Sequence, residues 1–390
     1  MINKRSNSIP AKRILLIRNA ASYDFGGAER FVINLGDELQ QLGWQVTVAS
    51  RHKEIGERAR LAKVPFKKSP WLQSWQDWSG LRIALFPGYL IWQLYLIAWY
   101  VWLCKRLRVS VIHPQSRDDF IAATIAGKLL GLKVIWTDHA DLKYVYQNVP
   151  VPIKNPVGKW VWRTSKKADA VTLVSHSEAR LIARALAIEA LPDHYQVIYN
   201  GVSDTPVQPL PRAATDKDAV VFCATSRLVT AKGIGELISA FEQVDQAIDA
   251  RLWIVGDGPE AERFKAQATN QPHITFMGFQ EDVHPIVAAA DVFVHPSYHE
   301  GFSISIVEAA RLAKPIIACS VGGNPEIIHN TVNGLLIPSQ DADALATAML
   351  QLGKNAPLRA QYGAAARQIF TENFEFDRIV AERFVPLYEQ

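Results

Sequence analysis

Along the first half of the chain, short runs of β-branched and apolar residues alternate with longer stretches of helical spacing. "RILLIR" precedes a helix expected from about Ala28 to Leu42, then come "QVTVAS" and, later, "VSVIH", "KVIWT", "DAVTLVS" and "YQVIY". Strands separated by helices in this rhythm predict a parallel sheet wrapped by helices. After Asn200-Gly201 the stretch "SDTPVQPLPRAATDKDA" is rich in Pro and polar residues and reads as an interdomain linker. The rhythm then restarts with "AVVFCAT", a helix near Gly233 to Ile248, "RLWIVG", a helix near Glu260, "HITFMG", "DVFVHPS", a helix after Ser303, and "PIIACS". The predicted class is α/β, with two facing, Rossmann-like, doubly wound domains. Residues 1–203 form the first, 204–218 the linker and 219–370 the second. Residues 371–390 form a terminal helix whose expected place is back on the first domain. Ligands of such sheets bind beyond the carboxyl ends of the strands, so the cleft between the domains is the expected site.

One stretch breaks the rhythm. Residues 81–104 include twenty-two consecutive positions without a charge, "IALFPGYLIWQLYLIAWYVWLC", long enough by length alone to span a bilayer. A single crossing would leave the strands before and after it on opposite sides, which one sheet does not allow. Pro87-Gly88 is expected to break its start, leaving a helix from about Tyr89 to Cys104 that carries Trp92, Trp99 and Trp102 and runs into Lys105, Arg106 and Arg108. Upstream, Lys63, Lys67 and Lys68 stand near Trp71, Trp75 and Trp78. Aromatics beside cations suit an interfacial helix on an anionic membrane surface; a buried helix or a dimer contact is the alternative.

Composition adds size, compartment and charge. At 390 residues and 49% hydrophobic, the chain exceeds one core and fits two domains. Its net charge of +4 hides 28 Lys/Arg against 16 Asp/Glu up to Leu210, and 14 against 22 beyond it. The basic half is therefore expected to face something anionic. Its cations are scattered and its tryptophans lie in apolar runs, which sets nucleic acid aside. Cys104, Cys223 and Cys319 fit neither a metal cluster nor a disulfide framework, and a reducing compartment follows. The N-terminal apolar run is too short for a signal peptide. The expected location is cytoplasmic, peripheral on the cytoplasmic face of the inner or plasma membrane.

Candidate chemistry concentrates at strand ends. Gly26-Gly27, at a turn into a helix, would let amides approach a phosphate, although the G-x-G-x-x-G fingerprint is absent. In "ATSRLVTAKGIGELISAF", Arg227 at a strand end and Lys232 before a helix are placed to hold a diphosphate. In "HPSYHEGFSISIVEAARLAKPIIACSVGG", amides from Gly301 through Phe302 and Ser303 to Ile304 open a helix. Glu308, further along it, suits a ribose diol, and Glu300 in the preceding turn is left for the group beyond the phosphates. His113, His295 and His299 are also at strand ends or turns and are ranked lower. No cluster has metal-ligand spacing.

Together "SRLVTAKGIGELISAF", "LWIVGDGPE", "ITFMGF" and "HPSYHEGFSISIVEAARLAKPIIACSVGGNPEII" resemble the donor half of the retaining glycosyltransferases of family 4, whose fold is called GT-B. The first half resembles them more loosely, through Gly26 to Glu29, "VIHPQS", "WTDHAD" and "VIYNGV". The resemblance implies that Arg227 and Lys232 hold the donor diphosphate and that Gly27 supplies a loop amide over it. Glu308 would hold the ribose, Phe279 would line the nucleobase pocket, and Glu300 with the backbone of Gly301 to Ser303 would contact the sugar. His139 would face the reaction centre. It further implies a nucleotide-sugar donor, retention at the anomeric carbon, and no metal or other cofactor. The acceptor expected from the membrane-facing features is a glycan or lipid-linked hydroxyl, in surface polysaccharide, lipopolysaccharide or glycolipid synthesis. A nucleotide-sugar epimerase of the same fold and a non-catalytic, membrane-bound carbohydrate-binding protein are the rivals.

Overall fold

The structure is a computed structural model describing residues 12–19, 26–70, 86–140, 142–147, 149 and 156–389. Trp71, Trp75, Trp78 and positions 81–85 of the apolar stretch lie outside these. The chain divides into two compact units, Met1–Ile198 with Asp377–Gln390, and Tyr199–Phe376.

In the first unit, β1 (Arg13–Ile17), β2 (Gln45–Ser50), β3 (Phe66–Lys68), β4 (Val111–Pro114), β5 (Lys133–Asp138), β6 (Ala170–Leu173) and β7 (Tyr195–Val197) form one parallel sheet in the order β3-β2-β1-β4-β5-β6-β7. In the second, β8 (Val220–Thr225), β9 (Ala250–Val255), β10 (Ile274–Gly278), β11 (Val292–His295), β12 (Ile316–Cys319) and β13 (Gly334–Ile337) order as β10-β9-β8-β11-β12-β13, again parallel. Strands β4, β6, β11 and β12 are buried at every position. That is why they carry no Asp, Glu, Lys or Arg and lack the polar alternation of a half-exposed strand: helices cover both faces of such a sheet. Each strand order reverses once, between β1 and β4 and between β8 and β11. In sheets of this kind ligands bind beyond the strand ends at that point.

The first core stacks Phe120 on Trp136, ring centroids 4.2 Å apart, with the indole N–H donating to Thr124 Oγ1 at 2.8 Å. Residues 377–389 pack within this unit. Phe384 lies against Phe31, and the Tyr388 hydroxyl is 2.9 Å from His113 Nδ1. The helix of the apolar stretch spans Phe86–Leu107, so Pro87 and Gly88 lie inside its first turn rather than ahead of it. Proline is tolerated there because the N–H it lacks would have no intrahelical acceptor.

The chain passes into the second unit between Ile198 and Tyr199 and leaves it between Phe376 and Asp377. The Pro-rich stretch is tied down within that unit. Arg311 donates to the Ser203 and Thr205 carbonyls, Arg367 pairs with Asp204, and Arg212 pairs with Asp291.

Candidate functional site

Two loops leave the second sheet at its reversal point. The loop after β8 carries exposed Arg227, makes a short 3-10 turn over Thr230–Lys232, and enters the helix Ile234–Asp245 through Gly233. Gly233 has φ +68°, and a Cβ there would stand 2.1 Å from the Pro296 carbonyl oxygen. Only glycine lets the loop after β11 come this close. The Tyr298 amide then donates to the Ala231 carbonyl at 2.9 Å, joining the loops. Gly322, φ +55°, backs the second loop in the same way, because a Cβ on it would meet the Glu300 carbonyl oxygen at 1.7 Å.

This close approach brings Lys232 Nζ to 2.6 Å from Glu300 Oε1. His295 Nε2 lies 2.8 Å from the same oxygen, and 3.1 Å and 3.2 Å from the hydroxyls of Ser297 and Ser303. A carboxylate only accepts, so Nε2 carries the proton. Burial alone would raise the Glu300 carboxyl. The His295 hydrogen bond and charge, reinforced by the Lys232 ammonium, outweigh it and hold the group well below the usual carboxylate range. Ser303 is the N-cap of the helix Ile304–Arg311, its side chain accepting from the Ile306 amide at 3.4 Å. The positive end of that helix therefore begins beside the Lys232–Glu300–His295 cluster.

The remaining residues expected in this half are placed as follows. Phe302 is buried, its ring stacked on Tyr199 with centroids 5.3 Å apart and tilted against Phe374, so only its backbone remains for a ligand. Glu308 is in the second turn of the helix, with Oε1 3.3 Å from His284 Nε2. The Phe279 ring, just past β10, is 71% exposed.

In the first unit, Gly26 is the N-cap of the helix Gly27–Gln41, but its amide, expected to approach a phosphate, donates instead to Glu29 Oε2 at 3.0 Å. Glu29 is one turn in and buried, and its other oxygen takes the Arg18 guanidinium at 2.8 Å and 3.1 Å. A glutamate three positions past the N-cap reaches back naturally to the N-cap N–H. His139 follows β5. Both ring nitrogens are buried with no hydrogen-bond partner among the described residues, and the ring meets Phe31 edge-on at 5.1 Å. Burial and the charge of Arg18 hold His139 well below the ordinary histidine range, so the ring is neutral. Ala140, immediately after it, has φ +81°, a strained conformation for a residue with a Cβ. His113 is engaged at both nitrogens, by Thr137 at 2.7 Å and Tyr388, and burial pushes it down to about 3, which marks it as structural. Among the described residues no group of His, Cys, Asp and Glu could hold a metal ion.

Comparisons with known proteins agree with this architecture. Residues 25–205 match the family model described as Glycosyltransferase Family 4, and residues 219–355 the one described as Glycosyl transferases group 1. The solved structure of Anabaena HepE in complex with UDP superposes with a TM-score of 0.76 at 20% identity, covering 97% of this chain and 100% of that one. The fold is GT-B, the two-domain α/β architecture of glycosyltransferases. The lipopolysaccharide core biosynthesis glycosyltransferase LpsD of Rhizobium meliloti is 28% identical over 379 residues, 94% of this chain and 95% of that protein. The N-acetyl-alpha-D-glucosaminyl L-malate synthase of Bacillus anthracis is 27% identical over 290 residues, 71% of this chain and 74% of that protein. This chain belongs to glycosyltransferase family 4.

Proposed function

We propose that this enzyme moves a sugar from a nucleoside-diphosphate sugar to a hydroxyl of a glycan or lipid-linked acceptor, with retention at the anomeric carbon, in the synthesis of lipopolysaccharide or a related surface glycolipid. The observation that carries the reading is the sharing of one Glu300 oxygen by Lys232 and His295, beside a helix N-terminus at the reversal point of the second sheet. The names of the lipopolysaccharide-core relative and the UDP-bound neighbour support the class of product and donor.

Departure of a diphosphate leaves an oxocarbenium-like centre and an anionic leaving group. Lys232, Arg227 and the amides from Gly301 to Ile304 would meet that anion, the electrostatic contribution that dominates such reactions. Because these groups already supply positive charge, the reading needs no bound metal. Lys232 would exchange Glu300 for phosphate oxygens, freeing a carboxylate that the hydrogen bond to His295 keeps ionised to receive sugar hydroxyls. Glu308 would take the ribose diol and Phe279 the base. The His139 ring nitrogens, which have no hydrogen-bond partner among the described residues, would be satisfied by a hydroxyl of a bound sugar. Glu300 is not assigned as a nucleophile; the leaving phosphate would accept the proton of the attacking hydroxyl.

Thermal denaturation with UDP, GDP and their sugars tests this. A selective rise in Tm with one nucleotide series is expected, because a ligand bound only by the folded state stabilises it. Lys232→Ala should lose about 10²–10³ in turnover. A wild-type Tm indifferent to every nucleoside diphosphate overturns the reading.

A further inference from the structure

We propose that the outer side of the helix Phe86–Leu107 docks on an anionic lipid bilayer, with the helix lying in the plane of the interface. A helix that is apolar all round is normally buried all round. This one is buried on one side only. Its inner side, Tyr89, Gln93, Leu96, Tyr100, Leu103 and Cys104, enters the first core. Polar bonds fix its rotation there, from the Tyr100 hydroxyl to Asp119 at 2.6 Å and from the Gln93 amide to the Asp118 carbonyl at 3.4 Å.

The opposite side follows helical spacing. Ile91 is 69% exposed, Leu94 66%, Tyr95 51% and Trp102 51%, with exposed Ala98 between. These positions, at steps of three and four, form one continuous stripe roughly 16 Å long at about 1.5 Å per residue. Scattered exposed apolar residues are ordinary, but a continuous row calls for a partner.

Charge identifies that partner. The helix contains no acid, and the stripe runs into exposed Lys105, Arg106 and Arg108, with the Arg106 guanidinium 5.4 Å from the Trp102 ring centroid. Apolar side chains, an interfacial tryptophan and clustered cations match, in that order, the acyl boundary, the headgroup level and anionic headgroups. A second copy applied to the same stripe would bring no acid from this helix against those cations. Because its inner side is held in the first core, the helix can offer a bilayer only its outer side; among the described residues no helix is long and apolar enough to cross a membrane.

The test is co-sedimentation of the full chain with vesicles of phosphatidylcholine alone and of equal parts phosphatidylcholine and phosphatidylglycerol. Binding to the phosphatidylglycerol vesicles that weakens with added salt is expected. Leu94→Glu with Trp102→Glu should abolish it while leaving Tm unchanged, since both side chains are exposed. Alanine at Lys105, Arg106 and Arg108 should weaken it roughly fivefold per cation. The proposal is overturned by a wild type that ignores phosphatidylglycerol vesicles or binds phosphatidylcholine equally, or by retained binding in the double variant. It is equally overturned by a wild-type dimer that the double variant converts to monomer. Nucleotide-dependent Tm shifts measured on the same proteins keep this outcome separate from that of the glycosyl-transfer reading.

Discussion

Each unit holds a carboxylate largely out of solvent near the reversal point of its sheet, and the two respond to burial in opposite ways. Glu300 lies in the turn after β11, and Asp119 in the first turn of the helix Arg117–Leu129 that follows β4. Asp119 accepts from Tyr100 and Ser116, both at 2.6 Å, and from the Asn19 amide at 3.1 Å and 3.2 Å. All three donors are neutral. Burial is the largest influence on it, and the carboxyl is pushed up to about 6. Glu300 experiences the same penalty, but a lysine and a histidine reverse it. Desolvation disfavours the charged form; neutral hydrogen bonds offset part of that cost, and an opposing charge offsets more. The first arrangement is a satisfied polar network that joins β1, β4 and the helix Phe86–Leu107. In the second, a cation has its carboxylate partner already in place, and an incoming anion could take over that cation.

The strongest way to separate them is to remove each charge while keeping its shape. Glu300→Gln should lower turnover by about 10², the scale of removing one group aimed at the reacting centre. Asp119→Asn should change turnover less than about threefold. Steady-state kinetics on the two proteins, with the same donor and acceptor, decide the point. Equal losses would erase the distinction between a reacting and a structural carboxylate.

Stability against pH tests the same contrast from the other direction. The folded-state value of Asp119 is raised, so between about pH 4 and 6 the folded protein holds a proton that the unfolded chain releases. Its contribution is present below the ordinary value of 3.8 and is lost as pH rises through about 6. At about 1.4 kcal/mol per pH unit, that difference amounts to roughly 3 kcal/mol. Glu300 has the opposite sign: its contribution is present above the ordinary value of 4.5 and fades as pH falls below it. Trp253 is the only tryptophan after residue 198, so intrinsic fluorescence reports mainly on the first unit. Urea unfolding followed by that signal should show Asp119→Asn gaining on wild type as pH rises from 4 to 7. Parallel curves would exclude the raised value.

Much of the second unit was legible in the sequence because its candidate residues lie in turns whose positions follow from strand ends. Arg227, Lys232, Glu300 and the start of the helix at Ser303 were all identifiable that way. The pairing of Lys232 with Glu300 was not, because 68 residues separate them and the Gly233–Pro296 approach that joins their loops exists only in the fold. His295 was ranked low for the same reason: five residues before Glu300, its reach across the turn could not be read from spacing. In the first unit, Glu29 was visible as a motif letter, but its clasp by Arg18 needed β1 and the following helix in place. The Pro-rich stretch read as a linker by composition. Arginines on distant helices, Arg311 and Arg367, are what fix it to the second unit.

The smallest expected effect concerns how Glu300 is kept ready. His295 is 3% exposed, so it would act on a ligand only through Glu300, by orienting the carboxylate and keeping it ionised. His295→Gln retains a donor near the carboxylate but loses the imidazole and its charge. Turnover should fall about tenfold with little change in KM for the donor, an order of magnitude below the loss expected for Glu300→Gln. Position and ionisation are separable through the pH profile. Because the His295 hydrogen bond and charge lower the Glu300 carboxyl, removing the histidine lets burial push it back up, and the acid limb of kcat should move to higher pH. A variant with reduced turnover and an unmoved acid limb would leave His295 as packing alone. The lowered carboxyl would then be the work of Lys232, and the second unit would rely on a single cation for what its structure assigns to two donors.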